Sequence, residues 1–286
     1  MSWIKWLGLI TLLFALTWAA LAALGSSRWE RATSALAAQL EAARVVPEVK
    51  RYDMRELEGL PPPVQRYFRT VLKDGQPIAA AASVDHTGSF NMDQTVDQWK
   101  PFTSRQRVVT RRPGFVWDGR VVLLPGLAVH VHDAYVTGSG ILHPAILGLF
   151  TLIDLRGSGE VARGELMRFL AEAAWYPTAL LPSQGVRWEA VDERSARATL
   201  VDSTVSVTLL FRFNGQGLIE STRAEARGRT VGKAIVMTPW EGSWSDYQER
   251  DGMRVPMTGE VAWLTAEGRK PYWRGTIKSL QYESAL

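Results

Sequence analysis

The sequence predicts an α+β protein that is mostly antiparallel β: one large curved sheet, a half-barrel, around one or two helices, preceded by an N-terminal transmembrane helix. Three observations predict this. From Ala82 onward apolar and polar residues alternate with a period of two in many short runs, the pattern of strands with one buried face. In their midst, residues 165–182 (ELMRFLAEAAWYPTALLP) place Leu166, Phe169, Leu170 and Ala173 at i, i+3, i+4 and i+7, an apolar helix face that needs a covering surface. Residues 6–27 carry no charge at all.

The uncharged run comes first. Its middle reads ITLLFALTWAALAALG, and at ~1.5 Å per residue it reaches about 30 Å, the depth of a bilayer core. Lys5 and the α-amine precede it, and Trp3, Trp6 and Trp29 fall where interfacial aromatics are expected. A cleaved signal peptide has a shorter apolar core, about 7–15 residues, although Ala20, Ala22 and Ala23 would suit a cleavage site. The expectation is therefore an uncleaved single-pass anchor over residues 1–27 in a bacterial inner membrane. The globular part is placed on the periplasmic or extracellular side, although Arg28 and Arg31 partly balance Lys5.

Residues 28–53 are expected to be a helical stalk and linker. The alanine-rich stretch 28–44 has Leu36 and Leu40 at i, i+4 and is read as a stalk kept out of lipid by its polar residues. Residues 45–53, with Pro47, read as the linker. A single domain over 54–286 follows. Pro61, Pro62 and Pro63 suit a helix start, where a missing amide costs little. Val64, Tyr67, Phe68 and Val71 then make a short apolar face.

The strand region begins SVDHTGSFNM, SRQRVVTRR, GFVWDGRVVLL, LAVHVHDAYV, divided by Pro113-Gly114 and Pro125-Gly126, which reads as an antiparallel meander. Residues 143–155 are read as a short helix or buried loop with Pro144 near its start. Pro177 biases Tyr176 away from helical geometry, so the central helix should stop near Trp175. VRWEAV, SARATLV, STVSVTLLFRF, GLIESTRAEARG, KAIVMTPWEGSWSDYQ, RVPMTGEVAWL and PYWRGTIKSLQYE bring the total to about a dozen strands. With short connections and no strand–helix alternation, a parallel sheet is disfavoured.

Composition narrows function. The chain has 286 residues, 46% of them hydrophobic, enough for a large core. It has no cysteine, which removes disulfides, thiolate catalysis and cysteine metal sites. A net charge of +4 suits a membrane-associated protein and is too weak to argue for nucleic acid.

Chemical motifs are sparse. His130, His132 and Asp133 form the most metal-like cluster, since strand positions i and i+2 point the same way. Asp133 would point to the opposite face, and a third ligand would have to come from His86, His143 or a carboxylate. A polar strand face with two partly exposed histidines is the simpler reading. Arg105, Arg107 and Arg111 share a face with Val109, which is most often a solvated sheet face and less often an anion-facing one. No G-x-S-x-G elbow occurs, TGSG and RGSG look like turns, and GRTVGKA lacks P-loop spacing. Glu172 lies one turn beyond Arg168 and can pair with it; facing a cavity, it would meet a ligand head group or act as an acid. No catalytic residue, metal site or cofactor is assigned.

Twelve tryptophans are a high count. Trp99, Trp117, Trp175, Trp188, Trp240, Trp244, Trp263 and Trp273 are spread beyond the anchor, and such rings either line a cavity or fill a core. The ligand-binding set expected on the cavity reading is Phe115 and Trp117 from the sheet, with Leu170, Trp175 and Tyr176 from the helical segment. Arg168 and Glu172 would stand at its mouth.

PPPVQRYFR, QWKPFTSRQ, RRPGFVWDGRV, FLAEAAWYPTALLP, TPWEGSW and PYWRGTI together resemble a bacterial family of unknown function, across residues 51–282. A basic strand followed by Arg112-Pro113-Gly114 and Phe115-Val116-Trp117 is similar to the strand pair near the front of Lol-type lipoprotein carriers. That likeness implies a half-barrel whose helices lid an apolar, acyl-binding cavity. It covers about a dozen residues, and this chain lacks the lipobox cysteine of the anchored receptor form, so only shape and ligand class carry over. The expected function is a membrane-anchored domain that binds a lipid or other hydrophobic ligand, in envelope lipid or lipoprotein handling. The alternatives are a small-molecule enzyme, such as a metal-dependent hydrolase using the HVHD cluster, and a structural envelope protein that pairs through sheet edges. Protein partners are left open.

Overall fold

A computed structural model describes residues 3–93, 96–232 and 234–285. The apolar N-terminal run and the alanine-rich stretch after it, both rich in helix formers, make one unbroken helix, α1 (Trp3–Ala42). It is long and apolar enough to cross a membrane by length and composition. A proline-started helix, α2 (Pro62–Val71), buries Val64, Tyr67, Phe68 and Val71 as the spacing requires.

The first half of the sheet is a meander: β1 (Ala79–Asn91), β2 (Trp99–Val109), β3 (Gly114–Leu124), β4 (Leu127–Val136) and β5 (Ser139–Ile146), edged by β6 (Phe150–Thr151) and β7 (Leu155–Gly157). The central helix, α3 (Glu160–Glu172), passes into a 3-10 turn that ends at Trp175, where Pro177 stops it. The second meander runs β8 (Arg187–Asp192), β9 (Ser195–Asp202), β10 (Val205–Phe213), β11 (Ile219–Val231), β12 (Ala234–Arg250), β13 (Met253–Thr265) and β14 (Gly268–Ser284). Pairing of β1 with β14, from Ala79↔Ser284 to Phe90↔Trp273, joins the halves into one 14-stranded antiparallel sheet.

Residues 143–155 correct the sequence reading: in place of a helix or buried loop they hold the end of β5, β6 and the start of β7, joined by short turns. Pro144 is tolerated because β5 meets its outer neighbours intermittently. β7 pairs with Gly140–Leu142 and β6 with Ala145 and Ile146. The Pro144 carbonyl accepts from Leu152 N on that outer side. The missing N–H therefore faces the same gap and breaks no ladder bond.

Helices lie on both faces of the sheet. On the concave side α3 and its turns bury Leu166, Phe169, Leu170, Ala173, Trp175 and Tyr176 against the strands. On the convex side α1 lays Leu36 and Leu40 on Ala81, Val109, Val116, Ala134, Val136 and Ile141. So the stretch read as a stalk is docked on the domain. Gly25 makes the approach possible, because a Cβ there would lie 2.0 Å from the Leu147 carbonyl oxygen.

Antiparallel order fixes which loops share an end. The turns after β1, β3, β5, β9, β11 and β13 all leave at one rim. Trp18 packs beside Gly126 in the β3–β4 turn, and Leu40 lies beside Gly114 at the opposite end of β3. The apolar start of α1 therefore projects beyond that same rim.

Candidate ligand-binding site

The floor of the concave face is made of tryptophans laid flat. Trp117 folds over Gly119 and Trp273 over Gly275, the next residues on the same face of their strands. A Cβ would fall 2.1 Å from the Trp117 ring in the first case and 2.2 Å from the Trp273 ring in the second. Only glycine leaves a ring that room. Trp175, from the turn after α3, presses on this floor with ring centroids 4.7 Å from His86, 5.1 Å from Trp244 and 6.3 Å from Trp273.

Among the described residues, four polar atoms in this aromatic layer have no hydrogen-bond partner: Nε1 of Trp117, Trp175 and Trp244, and Nε2 of His86. Buried polar atoms are normally paired, so four orphans in one cluster mark a polar-capable interior rather than a purely apolar filling. Burial holds the His86 imidazole neutral, pushing its pKa down to about 3.

Beside the aromatics lies a buried charge cluster. Arg168 on α3 donates from Nε to Glu172 at 2.6 Å and pairs with Asp133 on β4. Its guanidinium covers the rings of Phe115 and Trp117 at 4.9 and 5.2 Å. Gln106 on β2 donates to Glu172 at 2.6 Å. Arg227 on β11 stands 3.5 Å from Glu165. Burial, then the Asp133 carboxylate beside it, pushes the Glu165 carboxyl well above the ordinary range. Three carboxyls share two arginines here, and the raised Glu165 pKa lessens the surplus negative charge that a low-dielectric interior disfavours.

The seven residues expected to bind ligand are thus brought to one side of the sheet, and all are buried or nearly so. Phe115, Trp117, Arg168 and Glu172 meet directly; Trp175 joins the aromatic floor, and Tyr176 donates to the Phe169 carbonyl at 3.0 Å. Leu170 is in the core. Sequence reading missed Gln106, Asp133, Glu165, Arg227 and His86 as members. A signal existed: Gln106 and Asp133 are polar residues at the apolar phase of their strands, two positions from Val108 and from Val131 and Tyr135.

A cavity of about 60 Å³ lies between the start of α3, β5 and β11. Leu142, Leu155, Val161 and Ile235 make its outer wall, with Glu165 and Arg227 within. It sits beside the β11–β12 hairpin, at the rim where α1 projects.

The residues from 58 to 282 match a family of unknown function, DUF6920. The chain belongs to that family. The match spans the motifs from PPPVQRYFR to PYWRGTI. Among solved structures, this DUF6920 chain is similar to the LolA superfamily protein NE2245 from Nitrosomonas europaea, at 7% identity and TM-score 0.42, covering 78% of this chain and 92% of that one. It is also similar to a beta-barrel-like protein of domain of unknown function DUF1849 from Brucella abortus, at 11% identity and TM-score 0.19, covering 72% and 99%. No curated protein matches it.

The HVHD residues of the DUF6920 chain face two ways. His130 and His132 point to the convex side, as i and i+2 must, and Asp133 points inward to Arg168. The polar face expected for the histidines is covered by α1: Trp29 stacks on His132 at 3.8 Å and touches His130 and His143 at 5.4 and 5.5 Å. Thr33 Oγ1 lies 2.6 Å from His132 Nε2. Among the described residues no three His, Asp or Glu side chains are grouped to hold a metal ion.

This contact predicts an acid sensitivity. Burial first, and the His143 charge next, lower the His132 pKa to about 4. A depressed histidine contributes stability that is present above its unfolded pKa, about 6.5, and is lost as pH falls towards the folded value. Between pH 7 and pH 5 the loss should be about 2 kcal/mol. His86, His130 and His143, also lowered by burial, add to the wild-type loss, so the test is a difference: denaturant melts of His132→Gln should show a shallower decline over that window than wild type.

Proposed function

We propose that this chain is a membrane-anchored half-barrel that stands on the bilayer by its hairpin rim and takes up a lipid or another hydrophobic molecule. One observation carries this reading. Outside α1 and the linker after it, the exposed large apolar side chains crowd at the rim beside α1, including Leu124, Phe150, Leu152, Val231, Ile235 and Met237. Among the described residues Met54 and Val191 are the exceptions. Apolar loop tips beside an apolar helix that projects in the same direction fit a domain seated in the headgroup layer. On this reading α1 is the anchor, in a bacterial inner membrane with the domain on its outer side.

The ligand would enter at the rim cavity, whose apolar outer wall and inner arginine suit an acyl chain with an acidic head. Phe115, Trp117, Arg168, Leu170, Glu172, Trp175 and Tyr176 would line the space opened when α3 lifts from the tryptophan floor, and the unpartnered indole N–H groups would meet the ligand's polar atoms. The test is titration of the full chain, in mild detergent, with a fluorescent fatty acid. Saturable binding displaced by unlabelled fatty acid is expected, and weakened by Arg227→Gln. Binding that never saturates removes the uptake reading.

A further inference from the structure

A second concavity lies on the opposite face, under α1. It is a groove of about 860 Å³ with Ala22, Ser26, Trp29 and Glu30 of α1 as one wall and β1 to β4 with β14 as the other. Its height on α1 decides what meets it. Ala22 and Ser26 lie in the last turns of the uncharged run, and Arg28 is the first charge beyond it. If α1 spans the bilayer, as proposed above, the groove opens where hydrocarbon gives way to headgroups.

The groove floor is built by cross-strand register. Asp85 faces Arg105 and Arg105 faces Asp118 in one row, while Thr87 faces Thr103 and Thr103 faces Arg120 in the next. Arg105, Arg120 and Lys278 are exposed to it. Among the described residues none of the three makes an ion pair or a side-chain hydrogen bond. Their neighbour shows how unusual that is: Arg107, on the same face of β2, is held by Glu41 at 2.6 Å and Glu283 at 2.7 Å. Nor is Asp118 free to answer them, since it accepts from Trp29 Nε1 at 2.8 Å and from Thr33 at 3.4 Å. Three cations free of ion pairs, with threonine hydroxyls between them and the Asp85 and Glu30 carboxylates also on the lining, form a donor set for phosphate oxygens. Placed at the hydrocarbon boundary, that set matches a lipid phosphate, whose acyl chains would stay beside α1.

We propose that this groove binds the phosphate of a bilayer phospholipid, held by Arg105, Arg120 and Lys278 between α1 and the sheet. The site is separate from the interior beneath α3, and it ties the domain to the lipid next to its own anchor.

The test is native mass spectrometry of the full chain purified in mild detergent and titrated with phosphatidylglycerol. Arg105→Glu with Arg120→Glu is compared with Arg187→Glu and Arg197→Glu, exposed arginines on β8 and β9 that give the same charge change. Near-UV circular dichroism checks folding, and Lys278→Glu alone is the fallback variant. The groove pair should lose one bound phospholipid per chain, with affinity down about tenfold, while the control pair keeps it. Equal loss in both pairs, or no loss in the groove pair, overturns the proposal. Glycerol phosphate competing as well as the intact lipid would also overturn it, making the groove a site for soluble phosphate. Vesicle flotation of the wild-type chain is read separately: failure to float removes the membrane reading, whereas floating with an unchanged groove variant removes only this site.

Discussion

Replacing Arg168 with alanine should destabilise the chain by about 3–5 kcal/mol, the cost of leaving buried charges unpaired. Arg168 joins α3 to the sheet through Asp133 and, at 3.4 Å, Gln106, and pairs with Glu172 on its own helix. Its side chain is 13% exposed, so little water is at hand to take its place. Removing it strands two carboxylates beside Glu165, which is already forced towards its protonated form. The cause can be separated from lost packing. Arg168→Met combined with Asp133→Asn and Glu172→Gln removes the charges while keeping volume, and should recover most of the loss. Denaturant melts followed by tryptophan fluorescence measure both. A loss below about 1 kcal/mol in the single variant would mean that the cluster is solvated and that α3 is not pinned by it.

The second large effect is expected at Trp175. Its ring is 1% exposed and packs on His86, Trp244 and Trp273. Truncation to alanine opens a cavity that the flat floor cannot fill, because Trp273 already lies down on Gly275. A cost of about 3–5 kcal/mol is expected. Trp175→Phe should cost under half of that, since Nε1 has no partner to lose. If the phenylalanine variant is as damaged as the alanine one, the indole nitrogen is making a bond that stabilises the interior.

Much of the architecture is readable from the chain because the cues are local. Period-two alternation, Pro-Gly turns and the i, i+3, i+4, i+7 stripe each report on a few adjacent residues, and each reappears as a strand, a hairpin or α3. Residues 143–155 misled because Pro144 argues against a strand, and the gap that excuses it exists only once β6 and β7 are in place. The site was half legible. The pair Arg168 and Glu172 is a local i, i+4 relation, and Phe115 with Trp117 shares a strand face. Asp133, Gln106 and Arg227 come from three separate strands, and their convergence is set by tertiary register. Sequence also gave no cue that α1 would fold back over His130 and His132, since nothing local distinguishes a docked helix from a free stalk. Trp-x-Gly at 117–119 and 273–275 was in plain view, but its meaning depends on knowing which face is concave.

If the rim faces the membrane, a label on it should sit in lipid while a label at the far end of the sheet stays in water. The absence of cysteine from the chain allows single labels without background. Phe150→Cys at the rim and Gln216→Cys in the β10–β11 turn at the opposite end would each carry an environment-sensitive fluorophore, in the full chain reconstituted into vesicles. The rim label should emit as in a headgroup or acyl environment and be quenched by lipid-borne quenchers, while the Gln216 label behaves as in water. Water-like emission from both positions would contradict the account, leaving a domain held near the membrane by α1 alone.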